Sequence, residues 1–160
     1  MAVDIKVKNT PSYKVASLER VGGMGSDPLR GLFQELEKWA KKSKVKTGKY
    51  ICHFYESGRT PENYRFEACL EIRGNREPEG KIKIKELPKM TVASVKYNPE
   101  KVSPRLVYSG VYGWLKENDE GYKEAGSFSR EIYPGNPWTS TWAWSRAEIQ
   151  LPAQKNKSKK

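Results

Sequence analysis

Lys6-Val7-Lys8-Asn9-Thr10-Pro11-Ser12-Tyr13-Lys14-Val15-Ala16-Ser17 and Lys83-Ile84-Lys85-Glu86-Leu87-Pro88-Lys89-Met90-Thr91-Val92-Ala93-Ser94 align without a gap at a shift of 77 positions. Lysines, a proline and a closing Val-Ala-Ser recur in step, and self-similarity at a fixed offset marks a repeated structural unit. Beyond each copy come a helical pattern, a glycine and a short strand. Gly48-Lys49-Tyr50-Ile51-Cys52-His53-Phe54-Tyr55 answers Gly126-Ser127-Phe128-Ser129-Arg130-Glu131-Ile132-Tyr133, both ending on tyrosine at the same distance from glycine.

The first helix is expected to open at Asp27-Pro28, a cap followed by proline at the first helical position. Leu29, Leu32, Phe33, Leu36, Trp39 and Ala40 then fall on one helical face. The second opens at Ser103-Pro104 and carries Val107, Val111, Trp114 and Leu115 on a stripe. Gly110 and Gly113 either weaken it, by about 1 kcal/mol each relative to alanine, or permit close packing. Period two in Tyr64 to Ile72 points Tyr64, Phe66, Ala68, Leu70 and Ile72 one way and Arg65, Glu67, Cys69 and Glu71 the other, as in a half-buried strand. Arg73 to Gly80 and Pro134 to Pro137 read as turns. Lys81 to Glu86 restarts the alternation, and Ala147, Ile149 and Leu151 define the last strand. Strand, helix, two strands, given twice, predicts an α+β fold. It consists of duplicated β-α-β-β modules with pseudo-twofold symmetry and an antiparallel-rich sheet.

One hundred and sixty residues suit a single domain with a real core. Five Trp, nine Tyr and four Phe supply the bulky anchors that disordered chains lack. No apolar stretch approaches the ~20 residues of a membrane span, and Met1 to Asn9 has no signal-peptide run, so the expectation is a soluble cytoplasmic protein. Cys52, Cys69 and the single His53 match neither a disulfide framework nor a zinc spacing, and neither metal nor organic cofactor is expected. The net charge of +11 owes four lysines to Lys155–Lys160. Residues 154–160 therefore read as a disordered basic tail, at most a nonspecific contact for nucleic acid.

The motifs Pro11-x-Tyr13-x-Val15-Ala16, Gly22-Gly23, Leu36-x-x-Trp39, Tyr55-Glu56 followed by Thr60-Pro61-Glu62, Arg65-x-Glu67-Ala68-Cys69 and above all Glu131-Ile132-Tyr133 occur in that order. From about Ile5 to Pro152 the chain resembles the GyrI-like, or effector-binding, domain superfamily. The resemblance implies a binding domain over 1–153, with repeats of about 5–80 and 81–152. Helices would lie outside, a ligand groove between the modules, and a single glutamate at the position of Glu131 in that groove. It also implies three roles found in the family: drug sensing, protection against toxins including a gyrase-inhibitor type, and hydrolysis of strained, cyclopropane-bearing toxins. The stretch Lys96 to Ser103 departs from the turn that usually opens the family's second helix. Met1 to Ile5 leaves no room for a helix-turn-helix, so a stand-alone protein is expected.

Period two puts Glu131 on the face of Tyr133, and the repeat as aligned puts His53 and Tyr55 on the matching face of the other half. A carboxylate among aromatic rings attracts cations by Coulomb interaction and through ring faces, the latter worth ~0.5–2 kcal/mol per contact. The plainer alternative is a surface glutamate paired with Arg130 or a lysine. Trp138, Trp142 and Trp144 lie close in sequence, and Trp142 and Trp144 share a face if the chain there is extended, as groove wall or core edge. His53, with no serine or cysteine motif pointing to it, reads as a strand histidine bonded to its neighbours. The expected ligand is small, apolar and cationic, met by Glu131, Tyr133, Tyr55, His53, Trp138, Trp142 and Trp144. The expected action is sequestration or sensing. Alternatives are a hydrolase using Glu131 and Tyr133, or a gyrase- or DNA-interacting protein. The sequence does not set the oligomeric state.

Overall fold

The computed structural model describes residues 4–22, 26–55, 64–117, 121–126 and 128–156. Gly23, Glu56, Thr60-Pro61-Glu62 and Lys157 to Lys160 lie outside them, as do the side chains of Ser26 and Asp27. In chain order the elements are β1 (Lys6–Asn9), β2 (Tyr13–Val21), α1 (Ser26–Lys42), β3 (Lys46–Tyr55), β4 (Arg65–Arg73), β5 (Lys83–Leu87), β6 (Thr91–Tyr97), α2 (Pro104–Glu117), β7 (Tyr122–Glu124), β8 (Phe128–Tyr133), α3 (Thr141–Trp144) and β9 (Ala147–Lys155). The last strand thus runs two residues into the segment read from sequence as a tail.

Each of the two aligned segments forms two strands rather than one. Pro11 and Pro88 cannot donate to a ladder, and they fall between β1 and β2 and between β5 and β6. The strands form one antiparallel sheet in the order β1-β6-β9-β8-β3-β4-β2-β5, with β7 added on β9. Exchanging β1 with β5, β2 with β6, β3 with β8 and β4 with β9 reverses this order into itself, as an axis normal to the sheet between β3 and β8 would. The registers agree: Lys6 faces Ser94 as Lys83 faces Ser17, and Asn9 faces Thr91 as Glu86 faces Lys14. Each half therefore lends its opening strand to the other.

The two long helices, α1 and α2, lie on one face. Leu29, Phe33, Leu36, Trp39 and Ala40 of α1 bury against Ala16, Leu18, Tyr50, Phe66, Ala68 and Leu70. Val107, Val111 and Leu115 of α2 bury against Ala93, Val95, Ile149 and Leu151. Each large side chain so buried contributes about 1.5–3 kcal/mol. The Ser103 carbonyl accepts from the Leu106 and Val107 amides, so α2 starts where the Ser-Pro signal puts it. A Cβ at Gly113 would meet nothing within 4 Å, so close packing is not what this glycine serves.

The opposite face corrects the half-buried reading of β4. Glu67 is 1% exposed and Cys69 0%, because a second small core of Tyr13, Val15, Ile51, Cys69, Leu87 and Ile132 fills this side. Arg130 lies over the Tyr13 ring at 5.7 Å and helps to close it. Two ion pairs also lie on this face. Lys85 Nζ meets Glu67 Oε2 at 2.5 Å, and Lys8 Nζ meets Glu148 Oε2 at 2.6 Å. Lys8 and Lys85 are aligned positions of the repeat. Each lent strand is thus clasped by a carboxylate of the sheet it joins.

Candidate functional site

The seam between β3 and β8 floors a cavity of about 540 Å³ on the helix face. Cys52 and Phe54 of β3 and Glu131 and Tyr133 of β8 form the floor. Leu29 of α1 and Pro104 of α2 line the sides, and Tyr64, Pro137, Trp138 and Trp144 complete the wall. The lining is mostly aromatic and apolar around one carboxylate, the pattern of a small-molecule site.

Glu131 is held at both oxygens. The Tyr108 hydroxyl of α2 donates to Oε2 at 2.7 Å and the Tyr133 hydroxyl to Oε1 at 2.9 Å. Burial raises the Glu131 carboxyl above the ordinary carboxylate range, and these two bonds moderate the rise. Burial, with the Glu131 charge next to it, also raises the Tyr97, Tyr108 and Tyr133 hydroxyls, so they stay protonated donors. The Tyr97 hydroxyl is buried without a hydrogen-bond partner among the described residues. Three tyrosines thus gather around one desolvated carboxylate. Such a carboxylate is held short of full solvation and gains from an incoming cation.

The tryptophans divide, and the extended reading of their segment is corrected. Asn136 Oδ1 accepts from the Trp138 and Thr139 amides at 2.8 and 3.2 Å, which turns the chain after β8. Ser140 then caps α3, its hydroxyl accepting from the Ala143 amide at 3.1 Å. Residues two apart in a helical turn point in different directions. Trp144 therefore stacks on Tyr133, centroids 6.0 Å apart at 12°, while Trp142 is 55% exposed beneath the Arg146 guanidinium. Trp138 packs against Phe33. The Trp144 indole nitrogen donates to Glu100 Oε1 at 2.7 Å, tying the wall to the loop before α2.

Tyr55 and His53 are not in this site. Across the seam Cys52 faces Glu131, His53 faces Arg130 and Phe54 faces Ser129, and facing residues share a side of the sheet. An axis normal to the sheet preserves sides. Cys52 and Phe54, not His53 and Tyr55, therefore correspond to Glu131 and Tyr133. The sequence alignment of the two strands is one residue out, and one residue flips every side chain. Tyr55 and His53 belong to the opposite face. There the Tyr55 hydroxyl donates to Glu67 Oε1 at 2.7 Å. Burial, aided by Arg130, lowers the His53 imidazole to about 4, so it is neutral near pH 7.

That face brings together one grouping that the spacing did not suggest. One ligand atom each of His53, Glu67 and Cys69 lies within 4.8 Å of the others. Glu67, however, is already engaged by Lys85 and Tyr55, and burial raises the Cys69 thiol well above its ordinary value. The Lys85 ammonium would repel a further cation. These residues fit a buried ion-pair network, the counterpart of Lys8 and Glu148, rather than a metal centre.

Sequence reasoning missed Leu29, Cys52, Phe54, Tyr64, Pro104, Pro137 and Tyr108. A shift of 79 rather than 78 between the seam strands, keeping the apolar faces in phase, finds Cys52 and Phe54. Tyr108 sits beside the α2 stripe, and its role depends on the approach of α2 to β8, which no local pattern encodes.

The profile of a family described as GyrI-like small molecule binding domain matches residues 3–154. No curated protein matches the chain. Among solved structures, the EcmrR C-terminal domain is similar at 22% identity, TM-score 0.79, covering 97% of this chain and 99% of that one. SAV2435 bound to tetraphenylphosphonium is similar at 11% identity and TM-score 0.55, covering 94% of each chain. A hydrolase from Listeria innocua is similar at 9% identity and TM-score 0.61, covering 96% of this chain and 93% of that one. At these identities the likeness is one of fold.

Proposed function

The chain belongs to the GyrI-like small molecule binding domain family, and from that premise we propose that it binds an apolar, cationic aromatic compound over Glu131, acting by sequestration or sensing. The observation that carries the reading is the Glu131 carboxylate, desolvated beside Tyr133 on the floor of a cavity of about 540 Å³ walled by Trp138 and Trp144. Aromatic faces accept a flat or propeller-shaped cation, and the carboxylate neutralises it in a medium where an unpaired charge is costly. The tetraphenylphosphonium held by SAV2435 is such a cation, which makes it the first probe. Isothermal titration should give one site per chain, with affinity falling as pH falls through the raised Glu131 value. Binding that is indifferent to both pH and the Glu131→Gln substitution would sink the proposal.

The two tyrosine hydroxyls on Glu131 favour a second reading, hydrolysis of a strained electrophile. In it Glu131 takes a proton from water, and Tyr108 or Tyr133 gives one to the leaving atom. Incubation with a cyclopropane-bearing alkylator decides between the two. Multiple water adducts per chain, lost in Glu131→Gln and Tyr133→Phe, indicate an enzyme. Recovery of intact compound at one equivalent per chain indicates a binder.

Among the described residues no helix is long and apolar enough to cross a membrane. A gyrase- or DNA-interacting role would rest on the basic surface, and salt-dependent pull-down by DNA tests it.

A further inference from the structure

A second cavity, of about 450 Å³, opens behind the first and has the opposite chemistry. Tyr97, Ile132, Pro134 and Ala147 give it apolar walls, and Lys49, Lys96 and Arg146 bring three cations to it. They come from separate elements, β3, β6 and the link between α3 and β9, so the convergence is a product of the fold rather than of a basic run in sequence. Glu148 also lines the cavity. Its Oε2 is taken by Lys8 at 2.6 Å, by the Ser94 hydroxyl at 2.7 Å and by the Gln150 amide at 2.5 Å. It faces Lys96 across the ladder. Glu71 accepts from the Lys49 backbone amide at 2.9 Å. Counting both carboxylates against Lys8, Lys49, Lys96 and Arg146 leaves an excess of two positive charges around an apolar pocket. Among the described residues neither Lys49 nor Lys96 makes an ion pair, and the Arg146 side chain is engaged by neutral acceptors, the Trp142 carbonyl and the Ser145 hydroxyl.

We propose that this cavity is a binding site for a small organic anion, an aromatic sulfonate or carboxylate, distinct from the cation site over Glu131. Ring burial against Tyr97, Ile132 and Pro134 supplies the apolar part of the affinity, and Lys49, Lys96 and Arg146 fix the acid group at the mouth. The two cavities share a wall. Trp144 lines the first and Ser145 to Glu148 the second, while Tyr133 lines the first and Ile132 and Pro134 the second. Ligands of opposite charge would thus sit back to back across β8.

The probe is 1-anilinonaphthalene-8-sulfonate, followed by fluorescence on the full chain, with naphthalene-1-sulfonate and neutral naphthalene as competitors. The expected result is one site per chain, displaced by the sulfonate and not by naphthalene, and weakened by salt. The double variant Lys49→Ala/Arg146→Ala should bind about fivefold more weakly, the size that two screened charge contacts supply. Arg146→Gln alone should show part of that loss, and an unchanged far-ultraviolet spectrum shows that neither variant unfolds. Glu131→Gln should leave the probe's affinity unchanged, whatever it does to cation binding. The proposal falls if the probe does not bind, if the double variant binds as the parent does, or if Glu131→Gln tightens binding. That last result would place the anion in the aromatic cavity, relieved of a repelling carboxylate.

Discussion

Replacing Glu131 with glutamine should move ligand affinity and protein stability in opposite directions. The substitution keeps shape and a hydrogen-bonding oxygen for Tyr133 or Tyr108 and removes the charge. With the phosphorus of a tetraphenylphosphonium ion taken at about 6 Å from the carboxylate, at an effective dielectric near 20 the lost attraction is about 3 kcal/mol, roughly a hundredfold in affinity. The neutral, similarly shaped triphenylphosphine oxide should lose less than about threefold, because packing is unchanged. Stability goes the other way. Burial raises the Glu131 carboxyl, so the folded chain holds its proton more tightly than the unfolded chain. Stability therefore falls as pH rises from the ordinary carboxylate value through the raised one. Glutamine has no such penalty, and the variant should melt at a higher temperature than the parent at pH 7, and lose its advantage at low pH. Calorimetric titration with both compounds and melting curves over that pH range test the pair of claims. Equal loss for the ion and the neutral oxide, together with a lower melting temperature, would mean that Glu131 serves packing and that the electrostatic reasoning is wrong.

Other substitutions probe the remaining parts. Trp144→Ala should weaken cation binding by about 1 kcal/mol through loss of an aromatic wall of the cavity, whereas Trp142→Ala, at a residue 55% exposed, should change neither binding nor stability by more than about 0.5 kcal/mol. Despite burial, the bonds from Lys85 and Tyr55 hold the Glu67 carboxyl below its ordinary value, so its stabilisation is present at neutral pH and lost as pH falls through that lowered value. Lys85→Met should cost about 2 kcal/mol in urea unfolding, short of a fully buried pair because part of the lysine is solvated. Gly113→Ala should stabilise by about 0.5–1 kcal/mol, as the added methyl meets open space on a helix.

The sequence carried most of the architecture because repeated Pro and Val-Ala-Ser positions and period-two strands are local signals. It also carried Glu131, Tyr133, Trp138 and Trp144 to the cavity. What it missed arose from register and from non-local contact. Tyr55 and Tyr133 look equivalent because both end a strand after a glycine, yet the ladder sets Phe54 as the counterpart of Tyr133. Glu67 and Cys69 look solvent-facing because polar residues alternate with apolar ones. Their burial follows from Tyr13, Val15, Leu87 and Ile132, which cover that face, and from Lys85 on Glu67, all from strands distant in sequence. Trp142 and Trp144 look co-facial until Asn136 and Ser140 wind the chain into a turn.

The lending of β1 to β6 and of β5 to β2 dictates when, during synthesis, the molecule can finish itself. A nascent chain ending near residue 80 has made β2, α1, β3 and β4, yet β1 has no ladder, since its partner is Thr91–Tyr97. The exposed edge of β2 likewise waits for Lys83–Leu87. The floor of the aromatic cavity waits longer still, because Phe128–Tyr133 must arrive before β3 has a neighbour there. Ligand recognition is therefore among the last properties the growing polypeptide acquires. A ribosome-stalled or truncated product missing β8 and β9 would hold the carboxylate clasp at Glu67 while lacking the one at Glu148, and would present β3 as a bare edge for association with another chain.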